Sequence, residues 1–190
     1  MEKSTSRSKK TTAKKAETTA KPPVFPAPNL NLDDLTHMDG DALESLYRKG
    51  LVPDSLSVLD GSPPGRMLAI VGGAGRGLVG AAVRALAGAK AFPWAGKAFS
   101  SSDDVTGSGI NRVRGLGNMY PFKTRFEPSA VDGEPCILLD YTSPENPFFI
   151  RAVRDELREV AAGLFLGPAM LDKKSGATTL LWFAVDKSSS

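Results

Sequence analysis

The chain has 190 residues, with 24 Lys and Arg, 21 Asp and Glu, one Cys and one His. That length suits one domain and is short for two, and such a body can bury about 70% of the surface its unfolded chain exposes, enough to fold without a metal or a disulfide. A single cysteine excludes an internal disulfide, the same count excludes a Cys/His zinc set, and no apolar run reaches the roughly 18 residues of a membrane span.

Charge is uneven along the chain. Residues 1–23 hold seven basic side chains and two acids, a net +5 that leaves −2 for the remaining 167 residues. This leader has too little apolar area to offset the entropy of ordering, so disorder is expected. Pro22-Pro23-Val24-Phe25-Pro26-Ala27-Pro28-Asn29 extends it as a stiff linker. The predicted organisation is therefore a leader and linker over residues 1–29 and a single globular domain over residues 30–187. Clustered lysines attract phosphates, so residues 1–23 are a candidate for weak nucleic-acid or anionic-surface contact. The leader has no aromatics to stack bases, which favours a solubilising tail. It has no apolar core of a secretory signal and is unlike an amphipathic transit peptide, so the cytoplasm is the expected location.

Leu35, Met38, Leu43, Leu46 and Tyr47 recur at helical spacing, with Asp39 or Asp41 as cap and Gly50 as stop. His37 lies beside the cap, and nothing around it suggests a catalytic triad. A turn at residues 60–65 precedes a strand from Arg66 to Val71. That strand runs into Gly72-Gly73-Ala74-Gly75-Arg76-Gly77, which has the look of a dinucleotide loop. A second parallel strand ending in an acid about 20 residues later is missing, so a plain glycine loop is the better reading. Residues 78–89 read as a small-residue helix.

From Phe92 the texture changes to short apolar stretches separated by Gly, Pro, Asn and Asp. Strands are predicted over 94–100, 109–114, 122–126, 136–141, 164–171 and 178–185, with a hairpin or near-hairpin from Phe122 to Glu134. Cys136 lies in an apolar run and reads as a small buried hydrophobe rather than a nucleophile. Asp103-Asp104 sit in a Ser-rich loop and do not form an acid–base pair. The expected fold is α+β with β dominant: an antiparallel sheet that curls or closes into a barrel, with an N-terminal helix and an inserted helix near 147–160.

The inserted helix is predicted from Asn146 as cap, Pro147 in the first turn, and Ile150, Val153, Leu157 and Val160 on one face. Arg151 and Asp155 are four apart, as are Arg154 and Arg158. The two arginines at like-charge spacing call for acids from elsewhere or for an anionic ligand held bidentately. A structural charge network and a ligand site both fit; in the second, Arg154 and Arg158 close one end of the barrel with Asp155 as orienter.

Phe92-Pro93-Trp94-Ala95-Gly96-Lys97-Ala98-Phe99 resembles the Trp-x-Gly-Lys-x-Phe segment of small bacterial lipocalin-like proteins, with Phe92 where their signature has glycine. Arg151-x-x-Arg154-Asp155-Glu156-x-Arg158, followed by Gly163-Leu164-Phe165-Leu166-Gly167, resembles a pattern in uncharacterised bacterial proteins of similar size. Together these cover roughly residues 92–185. The resemblance implies a calycin-type barrel that binds an apolar small molecule; it does not imply an enzyme. No cofactor or metal is expected. The candidate ligand-binding residues are Trp94, Lys97, Tyr141, Arg151, Arg154, Asp155 and Arg158. The expected partner is a hydrophobic or amphipathic small molecule with a polar or acidic end. Alternatives are an isomerase or hydrolase using the same cavity, and a nucleotide-dependent oxidoreductase built on Gly72–Gly77.

Overall fold

The computed structural model describes residues 25, 29–71, 94–173 and 175–188. Eight strands form one sheet: β1 Gly65–Ile70, β2 Trp94–Ser101, β3 Thr106–Val113, β4 Gly117–Pro128, β5 Pro135–Asp140, β6 Val153–Ala161, β7 Leu164–Leu171 and β8 Thr178–Asp186. Their order is β1-β8-β7-β6-β5-β4-β3-β2, and every neighbouring pair is antiparallel. The β-dominant α+β architecture with a curled antiparallel sheet is thus what the chain adopts. The leader, the glycine loop at Gly72–Gly77 and the small-residue helix at 78–89 lie outside the described residues.

The sheet curls into a half-barrel. The segment entering β1 forms bridges to β2 at Gly61↔Phe99 and Pro64↔Gly96, which brings the two ends of the strand order together. Glycine is required at this seam. Gly96 has φ +122°, a conformation that L side chains rarely adopt, and a Cβ on Gly65 would fall 2.5 Å from the Trp94 ring.

Two helices cover the outer face. Helix α1 spans Leu32–Leu35, with Asn31 and Asp34 closing a capping box. Helix α2 spans Gly40–Arg48, and the Asp39 carboxylate accepts from the Ala42 N–H at 2.9 Å. Leu35, Leu43 and Tyr47 pack on Val160, Leu164, Leu166, Trp182 and Ala184. The opposite, concave face carries a second core that includes Phe99, Phe122, Leu139, Leu157, Phe165 and Phe183. Alternation along each strand divides the two sets, so Leu181, Phe183 and Val185 face in while Trp182 and Ala184 face out. Burial on both faces explains why β8 reads as an unbroken apolar run.

The helix expected near 147–160 is not formed. Asn146-Pro147 does start a turn, with the Ile150 and Arg151 amides bonded to the Pro147 carbonyl at 2.9 and 3.1 Å. From Val153 the chain is strand β6, paired with β5 and β7. The apolar spacing at Val153, Leu157 and Val160 mimics a helix, yet ladders on both sides outweigh local propensity. As a strand, Val153, Asp155 and Leu157 share the concave face, while Arg154, Glu156 and Arg158 share the other.

Candidate functional site

Strand β2 turns Lys97 inward because it stands two residues before Phe99, on the same face. Its side chain is 3% exposed. Nζ donates to Asn111 Oδ1, Tyr141 Oη and Asp155 Oδ2, each at 2.8 Å. All three ammonium protons are thereby engaged. Around it lie four rings, with Nζ 4.8 Å from the centroid of Phe183, 5.2 Å from Phe122, and 5.5 Å from both Trp94 and Tyr141. These are cation–π distances, and desolvation makes each contact worth more than it is at a surface.

The neighbours complete a closed hydrogen-bond circuit. Tyr141 Oη donates to Asp155 Oδ2 at 2.9 Å and accepts from Asn111 Nδ2 at 3.1 Å. The remaining Asn111 amide proton goes to the Tyr120 carbonyl at 3.3 Å, and Trp94 Nε1 donates to Asn111 Oδ1 at 3.2 Å. Asn111 comes from β3, directly opposite Lys97 in the ladder. Asp155 comes from β6, opposite Leu139 of β5, and Tyr141 follows the end of β5. Four separate segments therefore converge on one point.

Tyr120 helps to shape this end. The β3–β4 register shifts between Ile110 and Asn111, leaving Tyr120 as the extra residue of a bulge with φ 58°. A left-handed tyrosine is costly by about 1–3 kcal/mol, and the bulge aims its carbonyl at Asn111.

Above the circuit is a cavity of about 130 Å³. Lys97, Asn111, Tyr141 and Asp155 form its polar end, and Met67, Trp94, Ile150, Val153, Leu181 and Phe183 line the apolar remainder. Burial pulls the Lys97 ammonium below the usual lysine range, against the pull of Asp155 in the other direction. Burial pushes the Tyr141 phenol well up, and the Asp155 carboxylate adds to the shift. One polar atom of the site stands apart: Asp155 is 4% exposed, and its Oδ1 has no hydrogen-bond partner among the described residues.

Trp94, Lys97, Tyr141 and Asp155 are therefore brought together, and Arg151, Arg154 and Arg158 are not. Arg151 is exposed in the turn before β6. Arg154 lies on the outer face, where Nε donates to Glu156 Oε1 at 2.7 Å. Arg158 is 1% exposed. It forms a bidentate pair with Asp132 at 2.7 and 2.8 Å and donates to the carbonyls of Tyr47, Glu134 and Pro135. Those contacts use all five guanidinium N–H groups. The like-charge spacing of Arg154 and Arg158 is relieved by Glu156 and Asp132, and both residues lie in strand β6 rather than on a helix.

The sequence reading missed Asn111 and Tyr120. Asn111 carries a faint signal, being a polar residue among the half-buried positions of a strand; the bulge at Tyr120 carries none. Among the described residues no group of His, Cys, Asp and Glu is placed to hold a metal ion. No helix among them is long and apolar enough to cross a membrane.

No protein-family model matches the chain, and no curated protein matches it. Among solved structures, it is similar to a protein from Thermomonospora curvata, at 19% identity over 78% of this chain and 87% of that one, with a TM-score of 0.42. A likeness at that level carries no argument about function.

Proposed function

We propose that the chain binds a small, largely apolar molecule in the concave cavity and does so without catalysis, in the manner the lipocalin-like resemblance implies. The observation that supports this reading is an apolar cavity whose polar end is already internally bonded. Catalysis needs side chains aimed at a reacting atom. Here Lys97, Tyr141 and Asn111 aim their donors at one another and at Asp155. Groups so arranged hold a shape and a polarity; they leave little with which to move protons on a substrate.

The cavity sets the scale of the ligand. An engineered cavity of about 150 Å³ takes benzene, so about 130 Å³ suits a single ring or a short branched chain. An extended acyl chain would need to leave the cavity at the rim, where Met67, Trp94 and Val153 are half-buried. The isomerase or hydrolase alternative draws on one observation, the proximity of Tyr141 Oη to both Lys97 Nζ at 2.8 Å and Asp155 Oδ2 at 2.9 Å. The nucleotide-dependent alternative has less support, since each adjacent strand pair among the described residues is antiparallel and parallel β-α-β units are what such folds use. The cytoplasm is the proposed location.

The test uses the full-length chain. Native mass spectrometry is expected to find a small co-purifying molecule, or, once the chain is stripped, uptake of a ring-sized probe with a raised melting temperature. A chain that takes up no ring-sized probe, apolar or polar, and melts unchanged at saturating probe overturns the proposal.

A further inference from the structure

The polar end of the cavity has a hydrogen-bonding sense. Its side-chain donors are engaged within the protein: the three ammonium protons of Lys97, the Tyr141 hydroxyl, both Asn111 amide protons and the adjoining Trp94 indole N–H. On the acceptor side, Asp155 Oδ2 receives from both Lys97 and Tyr141, and Asp155 Oδ1 receives from no described residue. A buried carboxylate oxygen left unsatisfied costs more than a neutral one, because the desolvation of a charged group is uncompensated. A guest that brings a donor removes that cost. A guest that brings only an acceptor finds no free donor among these groups, and the Tyr120 hydroxyl is the other donor that the lining carries.

Charge points the same way. Lys97 and Asp155 form an ion pair with no net charge, and no other Lys, Arg, His, Asp or Glu among the described residues lines the cavity. An anion would enter an apolar chamber beside a carboxylate with no uncommitted cation, and a cation would find its counter-charge already paired.

Resting on the small-molecule reading above, we infer that the ligand is a neutral molecule carrying one hydroxyl or N–H donor on a ring-sized apolar body, such as a phenol, an indole or a compact alcohol. The donor is received by Asp155 Oδ1, which is less than 1 Å² exposed and is reached through a small shift of the carboxylate toward the cavity that Asp155 lines, and the apolar body packs on Trp94, Leu181 and Phe183. This replaces the acidic-ended ligand that the sequence suggested through its arginines.

The experiment compares phenol, toluene and fluorobenzene as probes of the full-length chain, by titration calorimetry and by thermal shift. The three share size and differ in whether they donate. Phenol is expected to bind at least about tenfold more tightly than either, as a charge-assisted hydrogen bond to a buried acceptor implies. In the paired variant Lys97→Met/Asp155→Leu the order is expected to reverse, with toluene ahead of phenol. Toluene binding as tightly as phenol to the wild-type chain overturns the inference and leaves the small-molecule reading standing. Failure of all three probes overturns both. The wild-type comparison needs no variant, so it decides between these outcomes even where the paired variant does not fold.

Discussion

Asp155 and Glu156 are adjacent in β6, both buried, and their carboxylates serve opposite faces of the sheet. Asp155 holds Lys97 in the concave cavity. Glu156 accepts from Tyr47 at 2.8 Å, Ser129 at 2.5 Å, the Ala130 amide at 2.8 Å and Arg154 at 2.7 Å, tying α2 and the β4–β5 turn to the outer face. Two neighbouring acids thus divide the work: the satisfied one fastens the layers and the unsatisfied one faces the cavity.

Removing one partner of the buried pair is expected to cost more than removing both. Lys97→Met leaves the Asp155 carboxylate without its cation, at about 3–5 kcal/mol. Adding Asp155→Leu is expected to recover most of that loss, because well-packed apolar residues can replace a buried ion pair at little cost. Urea unfolding of the two single variants and the paired variant gives the coupling directly. Equal stability of Lys97→Met and the wild-type chain would show that the pair is not a buried charge pair.

Arg158 is expected to matter for stability and not for binding. Arg158→Ala removes the cation paired with Asp132 and the side-chain donors to the Tyr47, Glu134 and Pro135 carbonyls, of which Tyr47 and Glu134 keep a backbone donor, and should lower stability by about 3 kcal/mol or more. Arg158→Lys should rescue little, since an ammonium cannot reproduce the bidentate fork. Probe affinity in the folded fraction of either variant is expected to stay within about twofold of wild type, because the side chain lies on the face away from the cavity. A large loss of affinity would return the arginines to the ligand site.

Gly65→Ala should disturb the cavity through the seam. The new methyl would lie 2.5 and 2.8 Å from two atoms of the Trp94 ring. The indole must move away from Phe183, against which it sits edge-on with centroids 5.8 Å apart. The expected readouts are a shifted tryptophan emission and weaker probe binding. Unchanged emission and affinity would show that the seam and the cavity wall are independent.

Alkali and acid act on different groups. Burial, reinforced by Glu156 for Tyr47 and by Asp155 for Tyr141, raises both phenols above the ordinary value near 10. A raised folded pKa means that their contribution is intact below pH ~10 and is lost as pH climbs above it. Phenolate absorbance from these two is therefore expected to appear only with unfolding. Asp132 is shifted the other way, chiefly by its hydrogen bonds from Arg158. Its contribution is present above the ordinary aspartate value of about 3.9 and is lost as pH falls through the lower folded value. Arg158→Ala should abolish that part of the acid transition.

Cys136 should be inert in the native chain. It is fully buried, and burial pushes its thiol up to about 12, with Glu156 adding to the rise. Alkylation at about pH 8 is expected to be negligible until denaturant is added. Rapid native labelling would mean that the outer layer opens easily.

Much of the sheet was legible because turn residues and β-rich runs are local signals. The strand predicted over 164–171 matches β7 residue for residue, and Asp39 caps α2 as expected. Strand β6 was not legible as a strand, because its apolar residues fall at 153, 157 and 160, the spacing of one helix face. Reading the same segment with period two would have separated Val153-Asp155-Leu157 from Arg154-Glu156-Arg158. In the candidate site, Lys97 and Asp155 were named for other reasons than the one that joins them. Their meeting depends on the pairing of β2 with β3 and of β5 with β6, which no spacing within either segment encodes.

A sheet with a separate core on each side has uneven freedom to change. Substitutions on the helix-covered side disturb the fastening of α1 and α2, while those lining the hollow mainly alter what fits inside. Descendants of this chain could therefore drift in ligand preference by exchanging a handful of inward-pointing side chains, while the scaffold beneath them keeps its shape.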